Sequence, residues 1–270
     1  MVSMMNKLTP WQIVQKARAA ARPKGQDLIP YLFNDFIELK GDRCFGDDPS
    51  LVGGVAWFLD WPVTVLAQAK GHSFQENQEK NYGMMCPEGY RKAQRLMKQA
   101  DKFGRPVICI VDTPGAFPGR GAEERGQAQA IAECLKLSAG LSVPVITIVL
   151  SEGGSGGALA LSVANEILFM ENAVYSILSP EGFASILWKD ESRREEAAAA
   201  MKLTSFDLKK AGFADVIIKE PAEGDAAAFA AAIAPALHSA VAKYASMKPC
   251  EIKAHRLAKV RNWGVPSWME

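Results

Sequence analysis

The 270-residue sequence predicts an α/β fold with parallel strand pairing and right-handed crossovers. Three observations carry that prediction. Two strand-sized apolar runs, Pro106-Val-Ile-Cys-Ile-Val and Val143-Pro-Val-Ile-Thr-Ile-Val-Leu, read as strands buried on both faces of a sheet. Each runs into a glycine-rich loop, and each loop is followed by a helical pattern. A third, shorter cycle follows in Ala173-Val-Tyr-Ser-Ile-Leu, Ser179-Pro-Glu-Gly and a helix over 183–188.

Taken in order, Thr9-Pro10 starts a short amphipathic helix carrying Trp11, Val14 and Arg18. Residues 1–26 hold no Asp or Glu but carry Lys7, Lys16, Arg18, Arg22 and Lys24, so a transit peptide fits their composition as well. A secretory signal is excluded, because no apolar core segment is present. Residues 51–70 read as two strands joined by a tight turn at Asp60-Trp61-Pro62. Pro87-Glu88 opens a helix in which Tyr90, Ala93, Leu96, Met97 and Ala100 recur at three-and-four spacing, ending near Phe103-Gly104. The run 106–111 stops at Asp112-Thr-Pro-Gly-Ala-Phe-Pro-Gly, and 123–139 is helical, with Ala128, Ile131, Leu135 and Ala139 on one face. After 143–150 comes the loop Ser151-Glu-Gly-Gly-Ser-Gly-Gly, then a helix over 158–164. Charged 189–196 is a solvated turn and helix start, 211–219 enters a last short strand, and Glu223-Gly-Asp is a hinge to an Ala-rich helix over 226–244.

Composition removes several function classes. Hydrophobic residues make up 49% and charged residues 23%, as in an ordinary globular chain of one large domain or two small ones. Gly at 22 and Pro at 15 are near average usage, which excludes collagen-like and low-complexity classes. Lys and Arg number 31 against 30 Asp and Glu, so no basic field points to nucleic acid and no acidic excess to disorder. No run approaches the roughly 20 apolar residues of a membrane span. Cys44, Cys86, Cys109, Cys134 and Cys250 are scattered and share no ligand spacing with His72, His238 or His255. That pattern argues against a disulfide framework or a zinc site and suits a reducing cytoplasm, so no metal is expected.

Both glycine loops follow buried strands, at the sheet edge where open α/β folds place ligands. Val111-Asp-Thr-Pro-Gly looks like the Asp-x-x-Gly loop of GTPases, but no G-x-x-x-x-G-K-[ST] segment accompanies it. Gly153-Gly154-Ser155-Gly156-Gly157 formally matches the G-x-S-x-G nucleophile elbow of a serine hydrolase, with Asp190 or Asp215 and His238 or His255 completing a triad. A third reading uses the backbone: Gly156 and Gly157, faced by Gly115 and Ala116, present two N–H groups to one oxygen as an oxyanion hole. Glycines that serve only tight turns and packing remain the plain alternative.

Seven segments in series carry a resemblance. They are Gly41-Asp-Arg, Gly53-Gly54 before Val-Ala, Asn81-Tyr-Gly-Met-Met-Cys-Pro-Glu-Gly-Tyr-Arg-Lys-Ala, Asp112-Thr-Pro-Gly-Ala-Phe-Pro-Gly, Gly121-Ala-Glu-Glu-Arg-Gly-Gln, Glu152-Gly-Gly-Ser-Gly-Gly-Ala-Leu-Ala and Ser179-Pro-Glu-Gly-Phe-Ala-Ser-Ile-Leu-Trp-Lys. In order and spacing, over roughly 10–221, the chain resembles the alpha subunits of bacterial acetyl-CoA carboxylase carboxyltransferase.

The resemblance implies a crotonase-like fold of repeated ββα units. It would form one domain over 1–270, with an N-terminal helical segment (1–25), a core (26–221) and a C-terminal helical extension (222–270). It implies transfer of a carboxyl group from carboxybiotin to acetyl-CoA, giving malonyl-CoA for fatty acid biosynthesis. The site would be shared with a beta subunit, in a heterotetramer of two alpha and two beta chains. Biotin would arrive on the biotin carboxyl carrier protein, charged by biotin carboxylase, so this chain holds no cofactor of its own. Zinc is expected only in the beta subunit, and no nucleic acid or membrane partner is implied. Carried onto this sequence, Gly156 and Gly157 stabilise the oxygen of biotin's ureido group, and Gly115 and Ala116 form the opposing wall. Gly153, Gly154, Ser155, Glu123 and Arg125 are expected to line the substrate. Glu123 and Glu124 also suit a helix start on dipole grounds. Lys70 and His72 have surface readings as well as readings near the site. Compared with longer members, the sequence begins at the Trp11-Gln-Ile-Val helix without extra N-terminal helices, and a family helix replaces the transit-peptide reading.

Overall fold

The computed structural model describes residues 8–221 and 224–264. One eight-stranded sheet organises them. Its first strands are β1 (Asn34–Glu38), β2 (Leu51–Phe58) and β3 (Trp61–Gln68), paired antiparallel. From β3 the pairing turns parallel through β4 (Val107–Thr113), β5 (Val145–Gly154), β6 (Glu166–Met170) and β8 (Val216–Ile218). Short β7 (Val174–Ser176) pairs only with the last residues of β5.

The twelve α-helices of the described residues start with α1 (Pro10–Ala17), α2 (Ile29–Leu32), α3 (Phe74–Glu79) and α4 (Pro87–Phe103). Next are α5 (Arg120–Glu124), α6 (Gln127–Gly140), α7 (Ser155–Leu159) and α8 (Pro180–Trp188). Last come α9 (Arg194–Ala200), α10 (Ser205–Lys210), α11 (Ala226–Ala245) and α12 (Pro249–Asn262). The α4 helix begins with Pro87 at its first position and stops at Gly104 with φ of 69°, a conformation glycine adopts without a Cβ clash. Its periodic face, Tyr90, Ala93, Leu96, Met97 and Ala100, is wholly buried over β2, β3 and α6. Every residue of β4 is buried, as a run without alternation requires. The main core is continuous from Leu28 to Val241, and a satellite cluster seats α1 through Ile13, Val14 and Ala17 against Val174, Ala198 and Leu203.

Several boundaries differ from expectation. The strand expected to end at Leu150 continues to Gly154, because Glu152, Gly153 and Gly154 find β-partners in β7. The helix expected over 158–164 is the single turn α7, starting at Ser155. The helix over 123–139 breaks at Gly126, whose φ of 84° separates α5 from α6. Strand β6 was not anticipated: Glu-Ile-Leu-Phe-Met is too short and too uniformly apolar to tell strand from helix. It lies between β5 and β8, whereas Ala173-Val-Tyr-Ser-Ile-Leu, expected as the strand of the third cycle, yields only the short β7. The edge strand β1 has no clear alternation, with a bulge between Asn34 and Ile37. Contrary to expectation, one helix, α11, is long and apolar enough to cross a membrane by length and composition, at a mean hydropathy of 1.3. Its Phe229, Ile233, Leu237 and Val241 stripe is nonetheless buried against the body. The expected hinge includes Glu223, and the expected terminal segments include 1–7 and 265–270; these lie outside the described residues.

The C-terminal α12 is anchored by one side chain. Arg256 is fully buried and donates to the carbonyls of Ser138 (2.8 Å), Leu141 (2.7 Å) and Val143 (2.5 Å) and to Asn165 Oδ1. It thereby gathers carbonyls from the last turn of α6 and the segment that follows it.

Candidate active site

The site is built where β4 and β5 end side by side. After Thr113 of β4, Pro114 removes one backbone donor, and Thr113 Oγ1 closes a small turn by accepting from the Gly115 N–H (3.1 Å) and donating to the Gly115 carbonyl (2.7 Å). The Phe117 N–H goes to the Met85 carbonyl (3.1 Å), and Gln127 Nε2 donates to both Met85 and Phe117 carbonyls. Between these anchored residues, the Ala116 N–H finds no acceptor among the described residues.

The β5 strand supplies the facing wall. A Cβ on Gly154 would lie 2.0 Å from the Pro114 carbonyl oxygen, and one on Gly153 would lie 2.1 Å from the Tyr175 ring. A Cβ on Gly157 would sit 2.6 Å from the Gly115 carbonyl carbon and 2.7 Å from the Ala116 nitrogen. Only glycine permits this approach of two main chains. Gly156 is different, since a Cβ there would meet Ile131 at 3.6 Å, an ordinary contact. No side chain caps α7, and the N–H groups of Gly156 and Gly157 have no acceptor among the described residues. Ser155 turns the corner from strand to helix with φ of 49°, a left-handed conformation that costs a non-glycine residue about 1 kcal/mol or more.

The structure thus brings Gly153, Gly154, Ser155, Gly156 and Gly157 together with Gly115 and Ala116. Of the two opposing residues, Ala116 has the free donor, and the Gly115 N–H is occupied by Thr113.

Beside this wall lies a polar cleft of about 320 Å³, lined among others by Arg18, Lys70, His72, Tyr82, Asp112 and Glu152. Lys70 Nζ is 2.6 Å from Asp112 and 3.4 Å from Glu152, and Arg18 bridges Glu152 (2.8 Å) and Glu181 (2.7 Å). Burial opposes the charge on Lys70, yet Asp112 and Glu152 outweigh it and raise the ammonium pKa above the ordinary lysine range. Burial likewise opposes ionisation of Glu152, and Lys70 and Arg18 reverse it, holding the carboxylate below its usual value. Lys70 is therefore a half-buried, paired cation. Arg18 and Glu152 were not anticipated as a pair, because they are far apart in sequence and no local periodicity links them.

None of the other expected residues hydrogen-bonds to the glycine wall among the described residues. Glu123 is exposed on α5. Arg125 grips Glu88 through two bonds (2.7 and 3.1 Å) and covers the Phe45 ring at 4.6 Å. His72 pairs with Asp27 at 2.9 Å, His238 packs on Trp61, and His255 packs on Tyr244. Asp190 caps the turn at Ser192, and Asp215 pairs with Lys259. No histidine or acid of the hydrolase alternative hydrogen-bonds to Ser155, and each has another partner, so the triad is not assembled. The described residues contain no group of three or more His, Cys, Asp or Glu able to hold a metal ion, and all five cysteines are free thiols.

Residues 1–264 match the family described as acetyl co-enzyme A carboxylase carboxyltransferase-like. The chain belongs to this family. A Clostridium acetobutylicum acetyl-coenzyme A carboxylase carboxyl transferase subunit alpha is 52% identical over 261 residues, 96% of this chain and 95% of that protein. The same subunit from Clostridium botulinum strain Alaska E43 is 61% identical over 216 residues, 80% of this chain and 79% of that one. Among solved structures, the transcarboxylase 12S core superimposes with a TM-score of 0.69 at 21% identity, over 83% of this chain. This chain spans 42% of that one. A Pseudomonas malonate decarboxylase hetero-tetramer in complex with coenzyme A gives 0.63 at 20% identity, covering 80% of this chain and 90% of that chain. The carboxyltransferase family fold is therefore crotonase-like, as the resemblance implied.

Proposed function

We propose that this chain is the biotin-facing half of an acetyl-CoA carboxylase carboxyltransferase, moving a carboxyl group from carboxybiotin to acetyl-CoA and giving malonyl-CoA for fatty acid synthesis. The observation that supports it best is Gly157 lying over the Gly115–Ala116 peptide, with unpartnered N–H groups on both walls. Two main chains this close suit an oxygen that gains negative charge, and neither a nucleophile nor a metal is needed to hold it.

Biotin, carried in on its carrier protein, supplies the activated carboxyl group. Gly154 and Gly157, where a Cβ would run into the facing main chain, let β5 and α7 abut the Pro114–Ala116 loop and bring the donors of both walls to one place. In this reading the N–H groups of Gly156 and Gly157 donate to the ureido oxygen and Ala116 adds a donor from the opposite wall. The Gly115 N–H, held by Thr113, shapes that wall instead of donating. The Lys70–Asp112–Glu152–Arg18 network fixes the β5 end that carries the glycines. Gly153, Gly154 and Ser155 set the strand-to-helix corner, while Glu123 and Arg125 border the approach from α5. The acetyl-CoA enolate is assigned to a beta subunit, within a heterotetramer working in the cytoplasm with biotin carboxylase.

The test is biotin-dependent decarboxylation of malonyl-CoA, the reverse half-reaction, by this chain alone and with a co-expressed beta subunit. Turnover only in the mixture supports the shared site. Turnover absent from a demonstrably formed complex would overturn it.

A further inference from the structure

We infer that Gln68 is a positioning residue for the Gly157 donor, its side-chain amide fastening the roots of the two glycine loops to each other. This deepens, and rests on, the reading of Gly157 as part of the carboxyl-transfer site. Gln68 is the last residue of β3 and is fully buried.

Two backbone groups near it have no partner in the regular ladders. The β3–β4 pairing ends at Ala67 opposite Ile110, and the β4–β5 register shifts between Val111 and Thr113, which leaves the Asp112 N–H free. Helix α7 is a single turn, and the Leu161 N–H bonds to Ala158 (3.1 Å), so the Gly157 carbonyl has no helical donor. Gln68 meets both needs. Its Oε1 accepts from Asp112 at 3.0 Å and its Nε2 donates to the Gly157 carbonyl at 3.2 Å, with Met85 Sδ at 3.3 Å.

Gly157 is therefore pinned from two sides: the Gly115–Ala116 peptide abuts its Cα, and Gln68 holds its carbonyl. A primary amide can accept at one end and donate at the other; a carboxylate can only accept. Gln68 contacts none of the free N–H groups, so it acts through Gly157.

The experiment uses the full chain co-expressed with its beta subunit, in wild-type, Gln68→Met and Gln68→Glu forms. It reads biotin-dependent malonyl-CoA decarboxylation and amide hydrogen exchange. Gln68→Met keeps the volume and deletes both bonds. It is expected to lower kcat about 10- to 100-fold with KM for malonyl-CoA nearly unchanged. Exchange over 153–161 should quicken about tenfold while 216–218 stays at the wild-type rate.

Gln68→Glu supplies the discriminating readout. A protonated acid both accepts and donates, so this variant should be active at low pH and lose activity as the new carboxyl ionises. Lys70 two residues beyond the end of β3, Asp112 on β4, Glu152 on β5, and Lys24 and Asp27 beside Gly25, which packs on the Gln68 carbonyl, are the charged groups near this position. Wild-type kcat and exchange in Gln68→Met, or a Gln68→Glu pH profile that superimposes on wild type, would overturn the inference. If Gln68→Met fails to fold, the Gln68→Glu profile and its exchange decide. An inactive wild-type complex would refute the functional reading alone, and the exchange rates would still decide the role of Gln68.

Discussion

Replacing Gly157 by alanine tests the geometry of the site with one methyl group. The added Cβ would lie 2.6 Å from the Gly115 carbonyl carbon, whereas ordinary contact begins at 3.4 Å, so the two main chains must part by about 0.8 Å. Both neighbours are backbone, which cannot swing aside as a side-chain tip would. A displacement approaching 1 Å at a donor costs about 100-fold in rate, the same order as losing an oxyanion donor altogether. Overpacking of this kind costs about 1–3 kcal/mol, or roughly 2–10 °C in Tm for a chain of this size. The assay is biotin-dependent malonyl-CoA decarboxylation by the complex, beside a thermal melt of the same preparation. Gly156→Ala, whose Cβ meets Ile131 at 3.6 Å, is the companion for the melt and should leave Tm unchanged or raised. Wild-type kcat in a folded, partner-bound Gly157→Ala would refute the reasoning.

Three further outcomes follow from named contacts. Ser155→Ala should keep kcat within about tenfold of wild type in the same assay, since no base hydrogen-bonds to the hydroxyl; a loss of about 10³-fold or more would contradict a site built from backbone donors alone. Arg256→Met takes the charged donor from the carbonyls of Ser138, Leu141 and Val143 and should cost about 3–5 kcal/mol in denaturant unfolding, so a loss below about 1 kcal/mol would contradict the anchoring of α12. Asp42 carries a pH signature. Burial opposes its charge, but the N–H groups of Cys44, Phe45 and Gly46 and the Arg91 guanidinium outweigh it, lowering its pKa from 3.8 to about 2. That depressed value stabilises the folded chain by about 2 kcal/mol above the unfolded pKa, and the contribution fades as pH falls from about 4 towards 2. Asp42→Asn should therefore be less stable than wild type near neutral pH, with the gap closing over that acid window; a gap independent of pH would contradict the assignment.

The sequence made the core strands legible because β4 and most of β5 are apolar without alternation, a pattern that burial on both faces requires. The α4 helix was legible at both ends through Pro87 and Gly104. What escaped notice depends on neighbours distant in sequence. Gly153 and Gly154 look like loop residues until β7 pairs with them, and β6 gains its identity only between β5 and β8. The two glycine loops could be assigned to one edge of the sheet, but not the choice between their donors. That choice turns on the Thr113 hydroxyl, which takes the Gly115 N–H and leaves Ala116 free. The place of Arg125 after a glycine loop could be read from the sequence, but not its partner, Glu88 on α4. Lys70 could be read as a solvated lysine because its partners, Asp112 and Glu152, arrive on two other strands.

Amide resonances of the complex carrying 15N-glycine, recorded as free biotin is added, test the backbone-donor site most directly. The Gly156 and Gly157 N–H signals should move as the ureido oxygen binds, while those of Gly104 and Gly212, at remote turns, stay in place. Unmoved Gly156 and Gly157 signals, at a biotin concentration that supports malonyl-CoA decarboxylation, would contradict a main-chain oxyanion hole in this subunit.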